Sequence, residues 1–139
     1  MSRPGLKIEM FVHFDDGDPA GIMFFPNYFR MSERAWELAL VKNGLAWTDW
    51  FRNDEWGIPL RAVQAEYHAM LRPGQTCTVE IGVGNLGDSS VTFQFEIYDS
   101  KGVHCASLRT THVFVDKVTM KKRSVPDHLR KFLKTQQLK

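Results

Sequence analysis

The feature that most constrains the fold is the strict alternation of apolar and polar side chains in the segment VTFQFEI, residues 91–97. Successive side chains of a β-strand point to opposite faces, so this pattern predicts a strand with one face in a core and the other facing outward. Four further segments are predicted to be strands: residues 6–14, 58–71, 76–87 and 103–116. We therefore expect the chain to be built around a sheet.

Turn-forming sequences separate the strands in the second half of the chain. RPGQ at 72–75, GD at 87–88 and SKG at 100–102 are rich in residues that favour turns. Strands that follow one another through short turns normally pair with their neighbours along the chain. The four strands from residue 58 onward are therefore predicted to form an antiparallel meander.

A single long helix is predicted between the first strand and the meander. Pro26 suits its first turn, where a missing N–H costs nothing, and Gly44 suits its C-terminal cap. Residues 45–56 fit either a short helix or an aromatic-rich loop, and a second short helix is predicted to begin near Pro126. The long helix has one apolar stripe at three- and four-residue spacing, formed by Tyr28, Met31, Ala35 and Leu38.

This order of elements predicts an α+β fold with a long central helix wrapped by a five- to six-stranded antiparallel sheet. One helix cannot cover both faces of such a sheet, so the sheet is expected to curve around the helix. Residues 1–139 are interpreted as a single domain, because the sequence has no linker or internal repeat. A second copy of the chain commonly covers the exposed edge of such a sheet, which predicts a homodimer or a dimer of dimers.

The composition sets limits on the class of protein. The 139 residues are 43% apolar and 24% charged, which is typical of one globular domain. A formal charge of +2 gives no basis for nucleic-acid binding, and no apolar run reaches signal-peptide or membrane-spanning length, so we expect a cytoplasmic protein with no membrane partner. Cys77 and Cys105 have no metal-ligand spacing and are predicted to be buried free thiols, and no metal site is expected.

The segment FDDGDPAGIMFFPNYF, residues 14–29, places three aspartates directly before the apolar start of the helix. A calcium loop is disfavoured because Ala20 stands where the third oxygen ligand is needed, and the glycine spacing of a phosphate loop is missing. Two interpretations remain open. The aspartates cap the backbone amides of a plain turn, or Asp18 is a catalytic carboxylate beside the unpaired N–H groups of the helix start, which suit a developing oxyanion.

The residues around this turn resemble the signature of the hotdog-fold acyl-CoA thioesterases, in particular the 4-hydroxybenzoyl-CoA thioesterase group. That signature has an aromatic residue, two aspartates in alternate positions, a glycine and, after an apolar stretch, an Asn-Tyr pair. The resemblance implies the hotdog fold, a long helix wrapped by an antiparallel sheet, and the hydrolysis of an acyl-CoA thioester. The signature positions are filled in register by Phe14, Asp16, Asp18, Gly21, Asn27 and Tyr28.

The resemblance also implies roles for individual residues. Asp18 corresponds to the carboxylate that acts as nucleophile or general base, and the backbone N–H of Phe25 corresponds to the donor that polarises the thioester carbonyl. Glu33 matches an acidic position in the helix and has a supporting role. Asn27 and Tyr28 are expected to fix the junction between the loop and the helix, and plain structural roles as a cap and a core aromatic are the alternative. The substrate-binding positions are Gly21, Phe24, Asn27 and Tyr28.

The implied substrate contains coenzyme A, and no separate cofactor is expected. Some members of the group have basic residues in the turn that reads GDSS here, residues 87–90, where Asp88 would repel a phosphate. The predicted phosphate contacts are therefore the basic residues of 117–123, in particular Lys121 and Lys122, or else Arg72. The alternative for the basic run is a solvated surface.

The function predicted from the sequence is an acyl-CoA thioesterase for an aryl- or medium-chain acyl group. A non-catalytic acyl-CoA-binding hotdog domain and a thioesterase for acyl-carrier-protein substrates are the alternatives. A hotdog dehydratase is disfavoured because its chemistry needs a histidine–acid pair, and no histidine lies in the helix or its entry loop. The scattered histidines and the lack of a G-x-S-x-G elbow also argue against cysteine and serine nucleophiles.

Overall fold

The computed structural model describes residues 6–138. This part of the chain contains two α-helices and seven β-strands, joined by turns and loops. The helices are α1, Asn27–Lys42, and α2, Asp127–Thr135. Two single 3₁₀ turns occur at Phe14–Asp16 and Trp47–Asp49, the second within the segment for which the sequence left helix or loop open. The strands are β1, Leu6–Phe11; β2, Trp56–Gly57; β3, Leu60–Tyr67; β4, Thr76–Leu86; β5, Ser90–Asp99; β6, His104–Val113; and β7, Val115–Asp116.

Five of these strands form one antiparallel sheet in the order β1-β4-β5-β6-β3, and β2 pairs with β7 separately. The central strands β4, β5 and β6 form a meander, as the turn sequences predict. Phe95 on β5 lies opposite Ile81 on β4 and Leu108 on β6, and all three side chains are buried. The predicted α+β architecture, a long helix packed on the apolar face of an antiparallel sheet, is confirmed.

The prediction that β3 pairs with β4 is wrong, because β3 pairs with β6 at the far edge of the sheet. The backbone groups of the connection between β3 and β4 form hydrogen bonds with other parts of the chain instead of with each other. The N–H of His68 donates to the Cys105 carbonyl at 2.8 Å, and the N–H of Gly74 donates to the Val12 carbonyl at 2.8 Å. The segment therefore leads from the β6 side of the sheet to the end of β1, and RPGQ forms a turn against Val12 rather than a hairpin.

The core lies between α1 and the inward face of the sheet. The ring centroid of Trp36 on α1 is 4.5 Å from that of Phe93 on β5, and burying a side chain of this kind contributes roughly 1.5–3 kcal/mol. The predicted stripe on α1 is correct except for Leu38, which is 45% exposed, whereas Ala39 is fully buried. The buried face of α1 includes Ala35, Trp36 and Ala39, and Leu38 lies at the margin of this face.

The second helix is short and packs against the sheet. It begins directly after Pro126, as predicted, and its apolar residues Leu129 and Leu133 are buried. The chain then returns to β4, where the N–H of Val83 donates to the Gln136 carbonyl at 3.0 Å. Neither helix in residues 6–138 is long and apolar enough to cross a membrane.

Candidate active site

The acidic turn is folded around Asp16, which is 6% exposed. Its carboxylate oxygen Oδ2 accepts the His13 N–H at 2.9 Å. Its carbonyl oxygen accepts both the Phe24 N–H and the side-chain amide of Asn27, each at 2.9 Å. Asp16 and Asn27 therefore fix the turn against the start of α1. These contacts match the junction role left open for Asn27, and a substrate contact for Asn27 stays a prediction.

Asp18 lies in a tight loop that orients its carboxylate. Its backbone N–H donates to the Ile22 carbonyl, and its carbonyl accepts the Gly21 N–H, both at 2.9 Å. Carboxylate oxygen Oδ1 accepts the Ala20 N–H at 2.9 Å, an Asx-type turn. Oδ2 accepts no hydrogen bond from residues 6–138, so one oxygen of a half-buried, oriented carboxylate is available for chemistry.

Gly21 is required by the backbone of this loop. Its φ of +79° lies in the left-handed region, which glycine adopts without steric cost. A Cβ at this position would meet nothing within 4 Å. Gly21 therefore allows the backbone conformation of the turn. Its role in leaving room for a ligand stays a prediction.

A free backbone donor lies at the start of α1. No hydrogen bond within residues 6–138 uses the N–H of Phe25, and the next residue, Pro26, has no N–H. The N–H groups of the first turn of a helix carry a partial positive charge. The carbonyl of Phe25, in contrast, accepts the Tyr67 hydroxyl of β3 at 2.8 Å. The peptide around Phe25 is thus tied to the sheet on one side and leaves a donor free on the other.

The side chain of Phe25 belongs to an aromatic cluster. The rings of Phe24 and Phe25 meet edge to face at 5.3 Å, and Tyr67 lies 6.4 Å from Phe25 and 5.0 Å from Tyr28. Phe24, Phe25 and Tyr67 are exposed, and they form an apolar surface next to the turn. Tyr67 was not identified from the sequence, because the segment 58–71 does not alternate clearly enough to show which of its residues reach the helix start.

Tyr28 belongs to the core of the protomer. Its ring is buried, its hydroxyl accepts the Leu71 N–H at 3.2 Å, and burial raises the pKa of the phenol. These contacts agree with the interpretation of Tyr28 as a core aromatic. A direct contact between Tyr28 and substrate stays a prediction.

Asp18 borders an open depression of about 550 Å³. Phe14, Asp15 and Gly21 line it from the turn, and Arg72 lines it from the connection between β3 and β4. Arg72 therefore shares one depression with Asp18, as a basic residue that a bound anion could reach. Lys121 and Lys122 are not among its lining residues; they lie in the exposed hairpin that follows β7.

Glu33 lies further along α1, away from the Asp18 depression. It borders a partly open cavity of about 80 Å³ between α1 and the sheet, and also a surface pocket of about 220 Å³ beside Trp56. The GDSS turn is covered by the C-terminal segment, because Ser124 donates to the Asp88 carboxylate at 2.9 Å and Arg130 to the Asp88 carbonyl at 2.7 Å. The protomer thus brings Asp18 and Gly21 into one depression and Phe24 and Phe25 into one aromatic cluster, and Glu33 is part of neither.

The cysteines are buried and unbridged, as predicted. Burial raises the pKa of the Cys77 thiol to about 12. A thiol with such a pKa is almost entirely protonated at neutral pH, and the thiol is a much weaker nucleophile than the thiolate. Cys77 is therefore a core residue and not a candidate nucleophile.

Comparison with known proteins identifies the family. A sequence model described as the thioesterase-like superfamily matches residues 12–133. A 1,4-dihydroxy-2-naphthoyl-CoA hydrolase of Prochlorococcus marinus (strain NATL2A) is 27% identical over 138 residues, covering 94% of this chain and 88% of that protein. Another, from Thermosynechococcus vestitus, is 28% identical over 124 residues, covering 89% of this chain and 85% of that protein.

The fold is shared with solved structures. A 1,4-dihydroxy-2-naphthoyl-CoA thioesterase from Synechocystis superposes with a TM-score of 0.85 at 20% identity, covering 91% of this chain and 93% of that one. The family match extends over most of the chain and includes the turn, α1 and four of the five strands of the main sheet, β3 to β6. The chain belongs to the thioesterase-like superfamily and is a thioester hydrolase with the hotdog fold.

Proposed function

We propose that this thioester hydrolase acts on an acyl-CoA with an aromatic acyl group, and that Asp18 and the Phe25 N–H perform the reaction. One observation supports this proposal above all. A carboxylate with one free oxygen precedes an unpaired N–H at the start of α1 by seven residues of a hydrogen-bonded loop. Hydrolysis of a thioester needs a base or nucleophile and a donor for the carbonyl oxygen.

The free oxygen of Asp18 has two possible roles in this reaction. As a general base, it takes a proton from water while the water oxygen attacks the carbonyl carbon. As a nucleophile, it attacks that carbon itself and forms an acyl-aspartyl anhydride, which water then cleaves. In both routes the carbonyl oxygen becomes negative and accepts the Phe25 N–H. The carbon–sulfur bond then breaks, and coenzyme A leaves as the thiolate, which takes up a proton.

Single turnover in ¹⁸O-labelled water separates the two routes. In the base route, the label enters the product acid directly. In the nucleophile route, water that attacks the aspartyl carbonyl carbon of the anhydride leaves the label in Asp18. Mass spectrometry of the peptide containing Asp18 after one turnover distinguishes them.

The aromatic acyl class follows from two considerations. The relatives described above are named for 1,4-dihydroxy-2-naphthoyl-CoA, an aromatic thioester. In this chain the exposed rings of Phe24, Phe25 and Tyr67 offer an apolar surface beside the free donor, and such surfaces favour planar aromatic groups. A medium-chain aliphatic acyl group is the second candidate, because the same surface is apolar throughout.

The active form is proposed to be a homodimer that forms through β3. This strand is at the edge of the sheet, and Leu60, Val63 and Tyr67 on it are exposed. An unpaired edge with exposed apolar side chains is suited to pairing with a second copy. A second copy at β3 would supply another wall beside Phe25, since Tyr67 is at the end of this strand and contacts that residue. A dimer of dimers is a further possible assembly.

Coenzyme A is proposed to bind through basic residues at two places. Arg72 shares the depression of Asp18 and can reach a phosphate of the bound thioester. Lys121 and Lys122 are exposed in the hairpin after β7 and supply further positive charge. Both contacts are at the surface, so salt is expected to weaken them.

The proposed function is tested by measuring kcat/KM for a panel of thioesters with purified protein. The panel contains benzoyl-, hydroxybenzoyl-, short-, medium- and long-chain acyl-CoA, together with matching carrier-protein thioesters. We expect aromatic acyl-CoA to give the highest value. Higher values for a carrier-protein thioester would contradict the choice of coenzyme A, and binding without turnover of any thioester would contradict the catalytic roles of Asp18 and Phe25.

A further inference from the structure

Two cavities lie on either side of Trp50. The first, called here the α1–sheet cavity, has a volume of about 80 Å³ and lies between α1 and strands β5 and β6. The second, called here the Trp56 pocket, has a volume of about 220 Å³ and is open at the surface beside Trp56. The residues that line both cavities form the wall between them, and these are Glu33, Trp50 and His112.

Trp50 is the largest side chain of this wall and is packed against other aromatic rings. Its ring centroid lies 5.1 Å from that of Trp36 on α1 and 5.6 Å from that of Phe93 on β5. The ring of Phe114 lies 5.5 Å away, and Trp50 as a whole is 8% exposed. Glu33, in contrast, is exposed. A ring held between three others cannot move aside without leaving voids in a close-packed core, so Trp50 keeps the two cavities apart.

The helix and the edge strand lead from the proposed oxyanion donor to the α1–sheet cavity. On α1, Phe29 and Trp36 are seven residues apart, so they share one face of the helix, and both line the cavity. Phe25 lies one turn before Phe29. On β3, Val63 lines the cavity, and Tyr67, on the same face of the strand, donates its hydrogen bond to Phe25. An acyl group whose thioester carbonyl meets the Phe25 N–H can therefore extend between α1 and β3 into the cavity.

The α1–sheet cavity is too small for more than one aromatic ring. An apolar cavity of about 150 Å³ holds benzene, and this cavity is smaller, although it is partly open beside the exposed residues Leu60 and Val63. A ring that enters from the open side meets Trp50 on the buried side. A group that extends further in the same direction needs the space that the Trp50 indole fills and, behind it, the Trp56 pocket.

We propose that Trp50 limits the length of the acyl group, because its indole closes the end of the α1–sheet cavity and separates this cavity from the Trp56 pocket. The proposal rests on the aromatic acyl-CoA thioesterase function proposed above and names the residue that sets its upper size limit. A smaller side chain at position 50 joins the two cavities, and a longer acyl group then gains contact with Trp56 and Ile58. One methylene group more or less in a hydrophobic pocket already changes kcat/KM by about 10–200-fold, so the effect of a whole ring is measurable.

The kinetic test compares benzoyl-CoA with 4-phenylbenzoyl-CoA, which carries a second ring in line with the first. We expect wild-type kcat/KM to be lower for the two-ring substrate by about tenfold or more. Trp50→Leu should raise the ratio of two-ring to one-ring kcat/KM by about tenfold or more. Trp47→Leu is the matched control, because Trp47 is exposed, stacks on Phe51 and lines neither cavity. It should keep the wild-type ratio.

Equal hydrolysis of the two substrates by the wild type, or a ratio that Trp50→Leu changes by less than about threefold, would overturn the role of Trp50. Loss of a packed core side chain lowers stability, so circular dichroism is measured first to show that the variant is folded. If Trp50→Leu does not fold, Trp50→Phe takes its place. This variant keeps a ring against Trp36 and still shortens the wall, so its ratio should rise in the same direction.

If the wild type hydrolyses no thioester of the panel, the proposed function fails, and ligand binding then decides about Trp50. Toluene and biphenyl differ in length by one ring. Toluene should raise the melting temperature of the wild type and biphenyl should not, whereas both should raise that of Trp50→Leu. An equal shift from biphenyl in the two proteins, or no shift from biphenyl in Trp50→Leu, would overturn Trp50 as the end wall of the cavity.

Discussion

The Tyr67 hydroxyl on β3 donates a 2.8 Å hydrogen bond to the Phe25 carbonyl at the entry to α1. This bond joins the edge strand of the sheet to the residue whose N–H is left free. The orientation of that N–H depends on the peptide planes on either side of Phe25. Tyr67 is therefore a positioning residue for the proposed oxyanion donor, although it need not touch the substrate.

Tyr67→Phe is expected to lower kcat more than KM. A neutral hydrogen bond contributes about 0.5–1.5 kcal/mol, which corresponds to a roughly two- to tenfold decrease in kcat if the bond acts in the transition state. Tyr98→Phe serves as the control, because Tyr98 lies on β5 and its hydroxyl makes no hydrogen bond within residues 6–138. Steady-state kinetics with the best substrate check both variants. Equal values for Tyr67→Phe and the wild type would remove Tyr67 from the proposed mechanism.

The assembly prediction concerns Val63, which is 47% exposed on the edge strand β3. Sedimentation of the wild type should show a stable dimer at micromolar concentration. Val63→Asp should shift the equilibrium toward monomer, because the new carboxylate is desolvated when two edges pair. Val118→Asp is the control, since Val118 is exposed in the hairpin after β7 and lies far along the chain from β3. A folded wild-type monomer at this concentration would contradict the proposed interface.

The coenzyme A contacts are tested by the double variant Lys121→Ala/Lys122→Ala and separately by Arg72→Ala. Each is expected to raise KM for the coenzyme A thioester about two- to fivefold at low salt, as for exposed ion pairs worth about 0.2–1 kcal/mol. The increase should shrink at high salt, and it should be absent for N-acetylcysteamine thioesters, which lack the nucleotide phosphates.

Lys131→Ala/Lys134→Ala on α2 is the charge-matched control for the lysine pair. Both side chains are exposed, and this helix is not part of the hairpin after β7. An unchanged KM in the Lys121/Lys122 variant at low ionic strength would mean that the hairpin is only a solvated basic surface. The same result for Arg72→Ala would exclude that residue from phosphate binding.

The stability of the fold should depend on pH through His112. Its pKa is about 4 in the folded protein, against an ordinary value of 6.5, because burial disfavours the charged ring. Below about pH 6.5 the unfolded chain binds a proton that the folded chain does not, so the free energy of unfolding decreases as the pH falls from 6.5 toward 4. The full decrease is about 3 kcal/mol in order of magnitude.

Urea denaturation at several pH values measures this dependence. His112→Gln should show a smaller decrease between pH 6.5 and pH 4 than the wild type, because glutamine does not bind the proton. His13→Gln is the control, since His13 is exposed near the end of β1. If His112→Gln and the wild type lose stability in parallel over this range, the neutral, buried state assigned to His112 is wrong.

The sequence predicted secondary structure correctly where apolar side chains recur at one regular spacing. The alternation of residues 91–97 predicted β5, and the three- and four-residue spacing through Met31 and Ala35 predicted α1. Both elements bury one complete face, so their patterns are strong. The resemblance around Asp18 located the candidate site because its residues are close together in the sequence.

Features that depend on long-range contacts could not be predicted in this way. RPGQ has the composition of a hairpin turn, yet its backbone pairs with Val12, and that choice depends on where β1 ends. Tyr67 reaches Phe25 across 42 positions of sequence, and Trp36 on α1 meets Phe93 on β5 only because the helix packs on the sheet. No local pattern marks such pairs, since each residue taken alone fits an ordinary strand or helix.

The role of Asp18 is tested most directly by the kcat of Asp18→Asn, measured beside Asp15→Asn. Asp15 lines the same depression and is exposed, so its variant removes a nearby negative charge without touching the proposed chemistry. The Asp18 change keeps the size of the side chain and removes its basicity. We expect Asp18→Asn to lower kcat by at least about 10²-fold, with little change in KM or melting temperature, and Asp15→Asn to remain within about threefold of the wild type. A kcat for Asp18→Asn within about threefold of the wild type would contradict the catalytic assignment.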